Sequence, residues 1–464
     1  MGTTGQVSAM SYRYDVPNVG DIDVYEEHDG YEGLRKALEM EPAEIIEVVK
    51  ESGLRGRGGA GFPTGMKWSF VAQDTGKPIY VVCNADEGEP GTFKDRPLME
   101  YDPHQLVEGM IVAGLALNAV MGYIYLRGEY AASGRALTKA IRQAYDKGYL
   151  GADVMGSGKR YDLAIHRAAG AYICGEETAL LDSLEGRRGQ PRLRPPFPAT
   201  HGVYGCPTTV NNVESIAAVP FILRNGVDWW RQWGTEKSPG PKLMSIAGEV
   251  QNPGNYEVAL GTTVNEMIEM AGGMLEGREL KFFCPGGSST PLLPADAADT
   301  PYTFEAIQEA GSLLGTGALM IYSDQTSVVS VVRRWTHFYE HESCGKCTPC
   351  REGGYWLGQI LTRIDTGMGR MEDLELLEDL CDNIFGRAFC ALADGMVSPI
   401  TSSLKYFRDE YVEHIRRGAS PYGVEPRRDI ATVEFSSGGG YLADPPPATP
   451  KHVLETEPVG GGQA

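Results

Sequence analysis

Apolar and polar positions follow two periods along the first half of the chain. The run 79–84 (IYVVCN) is apolar and bounded by polar residues, which predicts a buried strand. Apolar residues recur at helical spacing at 42–50, about 102–119 and about 133–147, and further strands are predicted at 123–127 and 163–166. This alternation of strands and helices predicts an α/β fold with a sheet and crossover helices over residues 1–240.

The pattern changes near residue 240, where shorter strands replace the α/β alternation. Strands are predicted at 243–248, 254–258 and 281–284, with a helix at 264–271. These elements predict a compact β-β-α-β unit over 241–326.

A helical character begins at residue 327. Apolar residues share helical faces in four successive stretches, for example Trp356 with Ile360 and Ile364, and Leu377 with Cys381. Four amphipathic helices with short connections predict a small bundle over 327–435.

The two ends of the chain lack these periodic patterns. Residues 1–30 are interpreted as an irregular lead-in. Away from the ends, 170–178 is interpreted as a strand that leads into a helix. The segment 436–464 is rich in glycine and proline and is predicted to be disordered.

Composition limits the functions that this fold can serve. Acidic residues outnumber basic ones, 62 to 42, so the formal charge is −20. This excess argues against nucleic acid or an anionic membrane surface as a partner. No secretory signal is visible, and 109–126 is interpreted as a buried helix followed by a strand rather than a membrane span.

Three of the nine cysteines are evenly spaced, at Cys344, Cys347 and Cys350. Thiolates at two-residue gaps are typical of iron–sulfur clusters, and reduced thiols suit a cytoplasmic protein. Cys390 is the preferred fourth ligand because it falls between two predicted helices, where a loop can turn its thiolate inward. Cys381 lies on an apolar stripe and is interpreted as a core residue.

A zinc site is the alternative for the same cysteines. His341 could supply a fourth ligand beside them. Structural zinc sites usually pair two CxxC or Cys/His units, which this spacing lacks.

Glycine is abundant, with 59 residues, and one dense cluster lies at 53–65 (GLRGRGGAGFPTG). The loop contains GxGxxG, but a predicted helix precedes it, unlike the dinucleotide-binding fingerprint. Its backbone amides can still approach a phosphate or an aromatic ring closely. Arg55, Arg57 and Lys67 are expected to form a basic patch for an anionic ligand, and a merely flexible loop is the alternative.

Two further segments carry candidate ligand-binding groups. Asp86, Glu87 and Glu89 directly follow the predicted strand 79–84, at the strand end where α/β sheets bind ligands. They are interpreted as hydrogen-bond acceptors for ribose hydroxyls or a carboxamide, with a metal site or a solvated acidic turn as alternatives. Asn211 and Asn212 stand at a helix entrance, where one can cap the helix and the other bind a ligand.

Four motifs together carry a family resemblance: GLRGRGGAGFPTG at 53–65, NADEGEPGTFKDR at 84–96, AGAYICGEETALLDSLEG at 169–186 and ESCGKCTPCREG at 342–353. Through them, residues 30–430 resemble the NADH-binding flavoprotein subunit of respiratory complex I (the NuoF family). The resemblance implies a Rossmann-like FMN and NADH domain, a ubiquitin-like β-grasp (SLBB) domain and a four-helix bundle with the cluster.

The resemblance also implies site residues. It implies a [4Fe–4S] cluster on Cys344, Cys347, Cys350 and Cys390, and it makes Glu89 the residue that places the nicotinamide. The implied FMN and NADH contacts are Gly56, Arg57, Gly58, Gly59, Ala60, Phe62, Lys67, Phe70, Asn84, Asp86, Glu87, Glu89, Tyr172, Gly175, Glu176, Glu177, Arg194, Phe197, Asn211 and Asn212.

Function, partners and location follow from the same resemblance as expectations. NADH would give hydride to FMN, and single electrons would pass to the cluster and onward to a quinone. The partners would be subunits of the peripheral arm of complex I, including a [2Fe–2S] thioredoxin-like subunit, at the cytoplasmic face of the membrane and without membrane insertion. Relatives are expected to have Lys where this chain has Arg194, so that nucleotide contact differs in its donor geometry.

Two other functions stay open. The chain could be the diaphorase subunit of a soluble NAD-linked hydrogenase, formate dehydrogenase or bifurcating complex. It could also be a non-enzymatic metal-binding scaffold with zinc at its cysteines.

Overall fold

The computed structural model describes residues 4–422 and contains two β-sheets with helices around them. The strands are β1 (Gly5–Gln6), β2 (Tyr80–Ala85), β3 (Met121–Leu126), β4 (Asp162–Arg167), β5 (Thr208–Asn212), β6 (Pro241–Gly248), β7 (Gly254–Ala259), β8 (Leu280–Cys284), β9 (Leu293–Pro294) and β10 (Ala318–Ser323). The helices are α1 (Ile22–Glu27), α2 (Glu32–Leu38), α3 (Pro42–Glu51), α4 (Thr64–Ser69), α5 (Asp95–Tyr101), α6 (Pro103–Ala116), α7 (Ala131–Asp146), α8 (Glu177–Leu184), α9 (Pro198–His201), α10 (Val213–Asn225), α11 (Val227–Arg231), α12 (Val264–Met270), α13 (Phe304–Glu309), α14 (Val328–Glu342), α15 (Thr348–Asp365), α16 (Glu372–Ile384) and α17 (Leu392–Arg417). The predicted mixed α/β fold is confirmed.

The first sheet is parallel, with its strands in the order β4-β3-β2-β5. The chain proceeds from β2 to β3 and β4 on one side, and β5 returns to the other side of β2. Open α/β sheets bind ligands at the carboxyl ends of strands where the order reverses in this way. The register places Asn84 of β2 beside Asn212 of β5 at that point.

Both faces of this sheet are buried, as parallel sheets require. Val81 and Cys83 of β2 belong to a core that includes α6 and α10, whereas Val82 belongs to a core shared with α8 and the helices after residue 327. The interpretation of 109–126 as helix then strand is confirmed, because α6 ends at Ala116 and β3 begins at Met121. Within residues 4–422, no helix has the length and apolarity to cross a bilayer.

The second sheet has the order β1-β7-β6-β10-β8-β9. β6 and β10 are parallel to each other, and the remaining pairs are antiparallel. Its apolar face packs with α12 and α13 into a separate core. The predicted strands and helix of this segment are present, and β9 and β10 complete the sheet.

Helices α14 to α17 pack on one another. On α16, Leu374, Leu377 and Cys381 are buried as predicted, but Trp356 of α15 is 50% exposed. A Cβ on Gly353 would lie 2.5 Å from Ile384, so close approach there turns the 353–357–360 side of α15 inward. The prediction that Trp356 shares the core face is therefore wrong.

Two other local predictions are also wrong. Residues 170–174 are not a strand, since Gly170 has φ +82° and Tyr172–Gly175 form a 3₁₀ turn. The lead-in contains α1 and β1, and β1 pairs with β7. The predicted disorder of 436–464 lies outside the described residues.

Residues 4–11 form an N-terminal strap across the second sheet. The carboxylate of Glu257 accepts hydrogen bonds from the backbone amides of Ala9, Met10 and Ser11, at 2.8–3.0 Å. Since these bonds join backbone to a distant side chain, no local periodicity could reveal them.

Candidate functional site

A cavity of about 1290 Å³ opens at the carboxyl ends of β2 and β5. The structure brings part of the predicted site together in its lining: Gly58, Gly59, Ala60, Asn84, Asp86, Glu87, Glu89, Tyr172, Gly175, Glu176 and Asn212. Other predicted residues do not line it: Gly56, Arg57, Phe62, Lys67, Phe70, Glu177, Arg194, Phe197 and Asn211.

The glycine loop reaches the cavity because two of its residues have no side chain. A Cβ on Gly58 would lie 2.8 Å from the Cβ of Asn212, and one on Gly61, with φ +64°, would lie 2.4 Å from the ring of Phe304. The loop backbone therefore rests directly on the start of α10. Gly59 faces the open space beside it, since a Cβ there would meet no atom within 4 Å.

Asp86 is the most unusual carboxylate of the cavity. Only 8% of the residue is exposed, and neither carboxylate oxygen has a hydrogen-bond partner. Burial raises the pKa of Asp86 to about 7, against the opposing charge of Arg127. Buried polar atoms are normally paired, so these oxygens are available to hydroxyl or amide groups of a ligand.

Glu87 is already engaged within the protein. Its carboxylate accepts from the amides of Asp95 and Arg96 at 2.8 and 3.1 Å and from the hydroxyl of Tyr130 at 2.9 Å. Burial, followed by the charge of Asp95, raises its pKa to about 7. The carboxylate thus fixes the start of α5 at the cavity wall.

Glu89 links the cavity to the second sheet and to α14. Its carboxylate accepts from the Tyr172 hydroxyl at 2.6 Å, the Ser289 amide at 2.7 Å and the Tyr339 hydroxyl at 3.3 Å. Burial raises its pKa, and these hydrogen bonds oppose that rise. The side chain is therefore held in one orientation at the wall.

The adjacent asparagines have different roles. Asn212 caps α10 by accepting from the Glu214 amide, and its amide nitrogen donates to Asp95 at 2.6 Å. Asn211 is buried and accepts from the indole of Trp68 at 3.0 Å. The predicted cap is confirmed at Asn212, while the side chain of Asn211 is occupied internally.

An ionic cluster lies next to Glu176, beside the cavity. Glu177 accepts from Lys67 at 2.9 Å and from Arg194 at 3.0 Å, and Arg194 also contacts Glu176. Glu176 in turn caps α8 by accepting from two backbone amides.

Exposed aromatic side chains lie on the segments around this ionic cluster. Phe62 and Phe70 have ring centroids 6.2 Å apart, and both are about half exposed, as is Phe197. The amide of Ala72 donates to the carbonyl of Ala199, which ties the two aromatic segments together. These rings are open to a flat ligand.

The expected basic patch of the glycine loop is not present, because its two arginines point elsewhere. Arg57 is 1% exposed and donates to the carbonyls of Pro239 and Pro241. Arg55 stacks on Phe304 and pairs with Glu305. Both guanidinium groups find internal partners, so Lys67 alone of the three stands beside the carboxylates near the cavity.

A second, smaller cavity, here called the thiol cavity, is lined by cysteines. All four predicted ligands reach it: Cys344, Cys347, Cys350 and Cys390. Cys381 does not line it, and burial raises the pKa of that thiol to about 12. Lys346 donates to the Pro191 carbonyl at 2.5 Å and lies 4.0 Å from the ring centroid of Phe389 at the same cavity.

The four thiols lie around one shared space. In the described part of the chain, no three His, Cys, Asp or Glu side chains converge on one ion-sized point. His341 is exposed at the end of α14 and does not line the thiol cavity. Four thiols around a shared space suit a cluster whose irons are bound by separate sulfurs.

The two cavities are separated by a thin wall. Ile173, Cys390 and Leu392 line both of them. A ligand in the large cavity would therefore lie close to whatever the four thiols hold.

Several lining residues escaped the sequence reasoning. Lys94 and Asp95 lie within the motif 84–96, and their adjacent opposite charges were a usable signal. Ser289 and Thr316 lie in loops next to strands of the second sheet and carry no local signal. Only the tertiary fold brings them to the cavity.

Three family models match successive segments of the chain. The Nuo51 FMN-binding domain matches residues 49–221, the SLBB domain 244–292, and the NADH-ubiquinone oxidoreductase-F iron-sulfur binding region 330–414.

Whole-chain comparisons extend this likeness. The NuoF protein of the NADH-quinone oxidoreductase of Streptomyces coelicolor is 58% identical over 425 residues, covering 92% of this chain and 94% of that protein. The NuoF protein of Escherichia coli is 50% identical over 400 residues, covering 85% and 90%. A solved NAD+-reducing [NiFe]-hydrogenase in its H2-reduced state is 35% identical with a TM-score of 0.77, covering 91% of this chain and 68% of its own.

Proposed function

The chain belongs to the NuoF family of NADH-quinone oxidoreductase subunits. From that membership we propose that its large cavity binds FMN and NADH and that its thiol cavity binds the iron–sulfur cluster of an NADH dehydrogenase. Its cofactors are FMN and a [4Fe–4S] cluster, and its substrate is NADH. One observation carries the proposal: Ile173, Cys390 and Leu392 line both cavities. Electrons from a nucleotide in the large cavity would have to pass only the wall formed by these three residues to reach the thiol cavity.

FMN would lie in the space between the glycine loop and the strand ends. Gly58, Gly59 and Asn212 would contact it through backbone and amide groups, and Asp86 would accept hydrogen bonds from its hydroxyl or ring amide groups. The unpartnered carboxylate of Asp86 and the open space in front of Gly59 support this fit. Bound FMN supplies the chemistry, since a flavin can take hydride from NADH and release electrons singly.

NADH would bind against the same cavity with its adenine end toward the exposed rings. Phe62, Phe70 and Phe197 offer flat apolar surfaces for stacking. Lys67, Glu177 and Arg194 would contact the sugars and phosphates by exchanging their present ion pairs for ligand contacts.

Glu89 would orient the nicotinamide. Tyr172 and the Ser289 amide hold its carboxylate in place, so the group needs no reorganisation when the ring arrives. In this scheme the protein binds and orients, and no side chain acts as a general acid or base.

The cluster would be bound by Cys344, Cys347, Cys350 and Cys390. The family match over 330–414 supports an iron–sulfur region that includes all four, and the thiol cavity supports Cys390 over Cys381 as the fourth ligand.

The domain division proposed for this function has three parts. Residues 1–240 would bind FMN and NADH as a Rossmann-like domain, 241–326 would be a β-grasp domain of the SLBB type, and 327–435 would be the cluster-bearing bundle, with 1–3 and 423–435 outside the described residues. The match of the SLBB model to residues 244–292 and the separate core of the second sheet support the middle part.

The protein functions as one subunit of a multi-subunit complex, as its family name implies. We place it in the peripheral arm of complex I at the inner face of the cell membrane, next to a [2Fe–2S] thioredoxin-like subunit. The hydrogenase likeness favours a related role, the diaphorase subunit of a soluble complex, as the second candidate. Co-purified partners distinguish the two.

Cysteine substitution tests the cluster assignment. Cys390→Ser should abolish the EPR signal of the reduced [4Fe–4S] cluster and leave FMN bound. Cys381→Ser is the matched control, because Cys381 lies on α16 and outside the thiol cavity. Loss of the signal in the Cys381 variant alone would overturn the assignment.

Glu89→Gln tests the nucleotide half of the proposal. The amide keeps one acceptor but turns a donor toward groups that already donate, so the KM for NADH should rise about tenfold while FMN stays bound. Steady-state NADH:ferricyanide kinetics measure this. Unchanged kinetics would show that Glu89 does not contribute to nucleotide binding.

A further inference from the structure

We propose that Ser343 is a positioning residue that raises the reduction potential of the cluster by donating a hydrogen bond to the sulfur of Cys350. The proposal rests on the function above, in that it requires a cluster on Cys344, Cys347, Cys350 and Cys390. Ser343 Oγ lies 3.2 Å from Cys350 Sγ, and both residues line the thiol cavity.

The direction of this hydrogen bond follows from the neighbours of the hydroxyl. The amide of Gly345 donates to Ser343 Oγ at 3.3 Å and so occupies one lone pair of that oxygen. A cysteine that ligates iron is a thiolate and has no proton to donate. The hydroxyl proton of Ser343 therefore points to Cys350 Sγ.

The environment strengthens this contact. Cys350 is only 7% exposed, and charge-assisted hydrogen bonds are stronger where water is excluded.

The hydroxyl of Ser343 can be removed by substitution, whereas the other hydrogen-bond donors to the ligand sulfurs cannot. The Phe389 amide donates to Cys347 Sγ at 3.4 Å, and the Leu392 amide donates to Cys390. Both are backbone groups and persist in any side-chain variant. The backbone of Ser343, at φ −59° and ψ 127°, suits alanine, so the hydroxyl can be removed without strain.

Reduction adds one electron to the cluster and breaks no bond, and the electron comes from NADH by way of the flavin. The added negative charge is shared with the cysteine sulfurs. A donor to such a sulfur stabilises the reduced cluster more than the oxidised one, which raises the reduction potential. Removal of the hydroxyl should lower it.

The test is an EPR-monitored redox titration of the cluster in the intact complex. In Ser343→Ala the midpoint should become more negative, with the ratio of reduced to oxidised cluster falling on the order of tenfold at fixed potential, equivalent to about 59 mV for one electron. Ser343→Thr keeps the hydroxyl and should titrate like the wild type.

Thr348→Val is the matched control. Thr348 lies between the ligands Cys347 and Cys350, its side chain is exposed, and within residues 4–422 its hydroxyl makes no hydrogen bond. This variant should leave the midpoint unchanged.

Three results would overturn the proposal: a wild-type midpoint in Ser343→Ala, an equal shift in Thr348→Val, or a shift in Ser343→Thr as large as in the alanine variant. Ser343→Gly repeats the deletion and must show the same shift, which decides the matter if the alanine variant loses its cluster. Absence of any cluster signal from the wild-type complex would instead refute the proposed function.

Discussion

The side chain of Asp86 shows how one residue can indicate a ligand-binding position. Its carboxylate is buried beside the cavity with both oxygens unpartnered, although the loop around it is held by other hydrogen bonds. Burial of an unpaired carboxylate lowers the free energy of unfolding. A carboxylate that is buried without a partner despite this penalty is a candidate for ligand binding.

The raised pKa of Asp86 predicts a pH-dependent effect on stability. Because burial raises the pKa from 3.8 to about 7, the folded protein binds more protons than the unfolded chain between these values. The free energy of unfolding of the flavin-free protein should therefore fall as pH rises through that window. Asp86→Asn should be more stable than wild type by about 2–4 kcal/mol at pH 8.

Denaturant unfolding at a series of pH values checks this prediction. The difference between Asp86→Asn and wild type should vanish at pH 4, where the carboxyl is protonated in the folded state. Equal stabilities at pH 8 would show that the carboxylate is solvated in the flavin-free protein.

At the residue scale, the sequence motifs predicted which residues belong to the site better than they predicted which groups each side chain contacts. Asp86, Glu89 and Tyr172 were expected at the cavity and line it. The sequence could not show that Arg57 turns inward to two proline carbonyls, because those partners lie over 180 residues away. Side-chain direction depends on tertiary neighbours that no local pattern contains.

Among the elements, the glycine loop and the start of α10 are in close contact beside the cavity. A Cβ on Gly58 would meet the Cβ of Asn212, which is fixed because it caps the helix. Neither group can move aside without shifting the loop or the helix start.

Gly58→Ala should therefore weaken FMN binding in a folded protein. Displacement of the loop by a misplaced methyl typically costs about 1–3 kcal/mol, roughly a 5- to 150-fold rise in the Kd for FMN. Flavin fluorescence released from the purified protein measures occupancy. Gly254→Ala at the start of β7 is the control, because its Cβ would have no neighbour closer than 3.6 Å, and it should retain full FMN.

Many of the longer elements could be predicted from periodicity, and the failures have separate physical causes. In the first sheet, β2, β3 and β4 were predicted from their apolar runs. Strand β5 was missed, because its sequence TTVNN carries no apolar pattern. The 3₁₀ turn at Tyr172–Gly175 was taken for a strand, since a short apolar run does not distinguish the two. Trp356 was misplaced because helix packing, not hydrophobicity, decides which side of α15 faces inward.

The molecule as a whole is joined by buried charges. Glu214 of α10 has a fully buried side chain that contacts Lys94 at 2.8 Å and Lys242 at 3.0 Å, with Arg57 at 4.0 Å. Burial alone would raise its pKa, but these cations outweigh burial and lower the pKa to about 2. The contacts link the glycine loop, the start of α5 and strand β6 of the second sheet.

Glu214→Gln should destabilise the whole protein by about 3–5 kcal/mol, because it leaves three buried cations short of a counter-charge. Glu32→Gln, which breaks an exposed pair with Arg35, should change stability by less than about 1 kcal/mol. Chemical denaturation of both variants makes the comparison. A loss of under 1 kcal/mol in Glu214→Gln would mean that the cations are solvated.

The N-terminal strap has a consequence for the order in which the protein is made. The partner of Ala9, Glu257, lies 248 positions later in the chain and is therefore synthesised after it. At about 5–20 residues per second, the strap waits roughly 12–50 seconds before its binding site exists. Residues 4–11 can therefore bind only after β7 has been synthesised, and a nascent chain arrested before β7 should present the strap to proteases and chaperones.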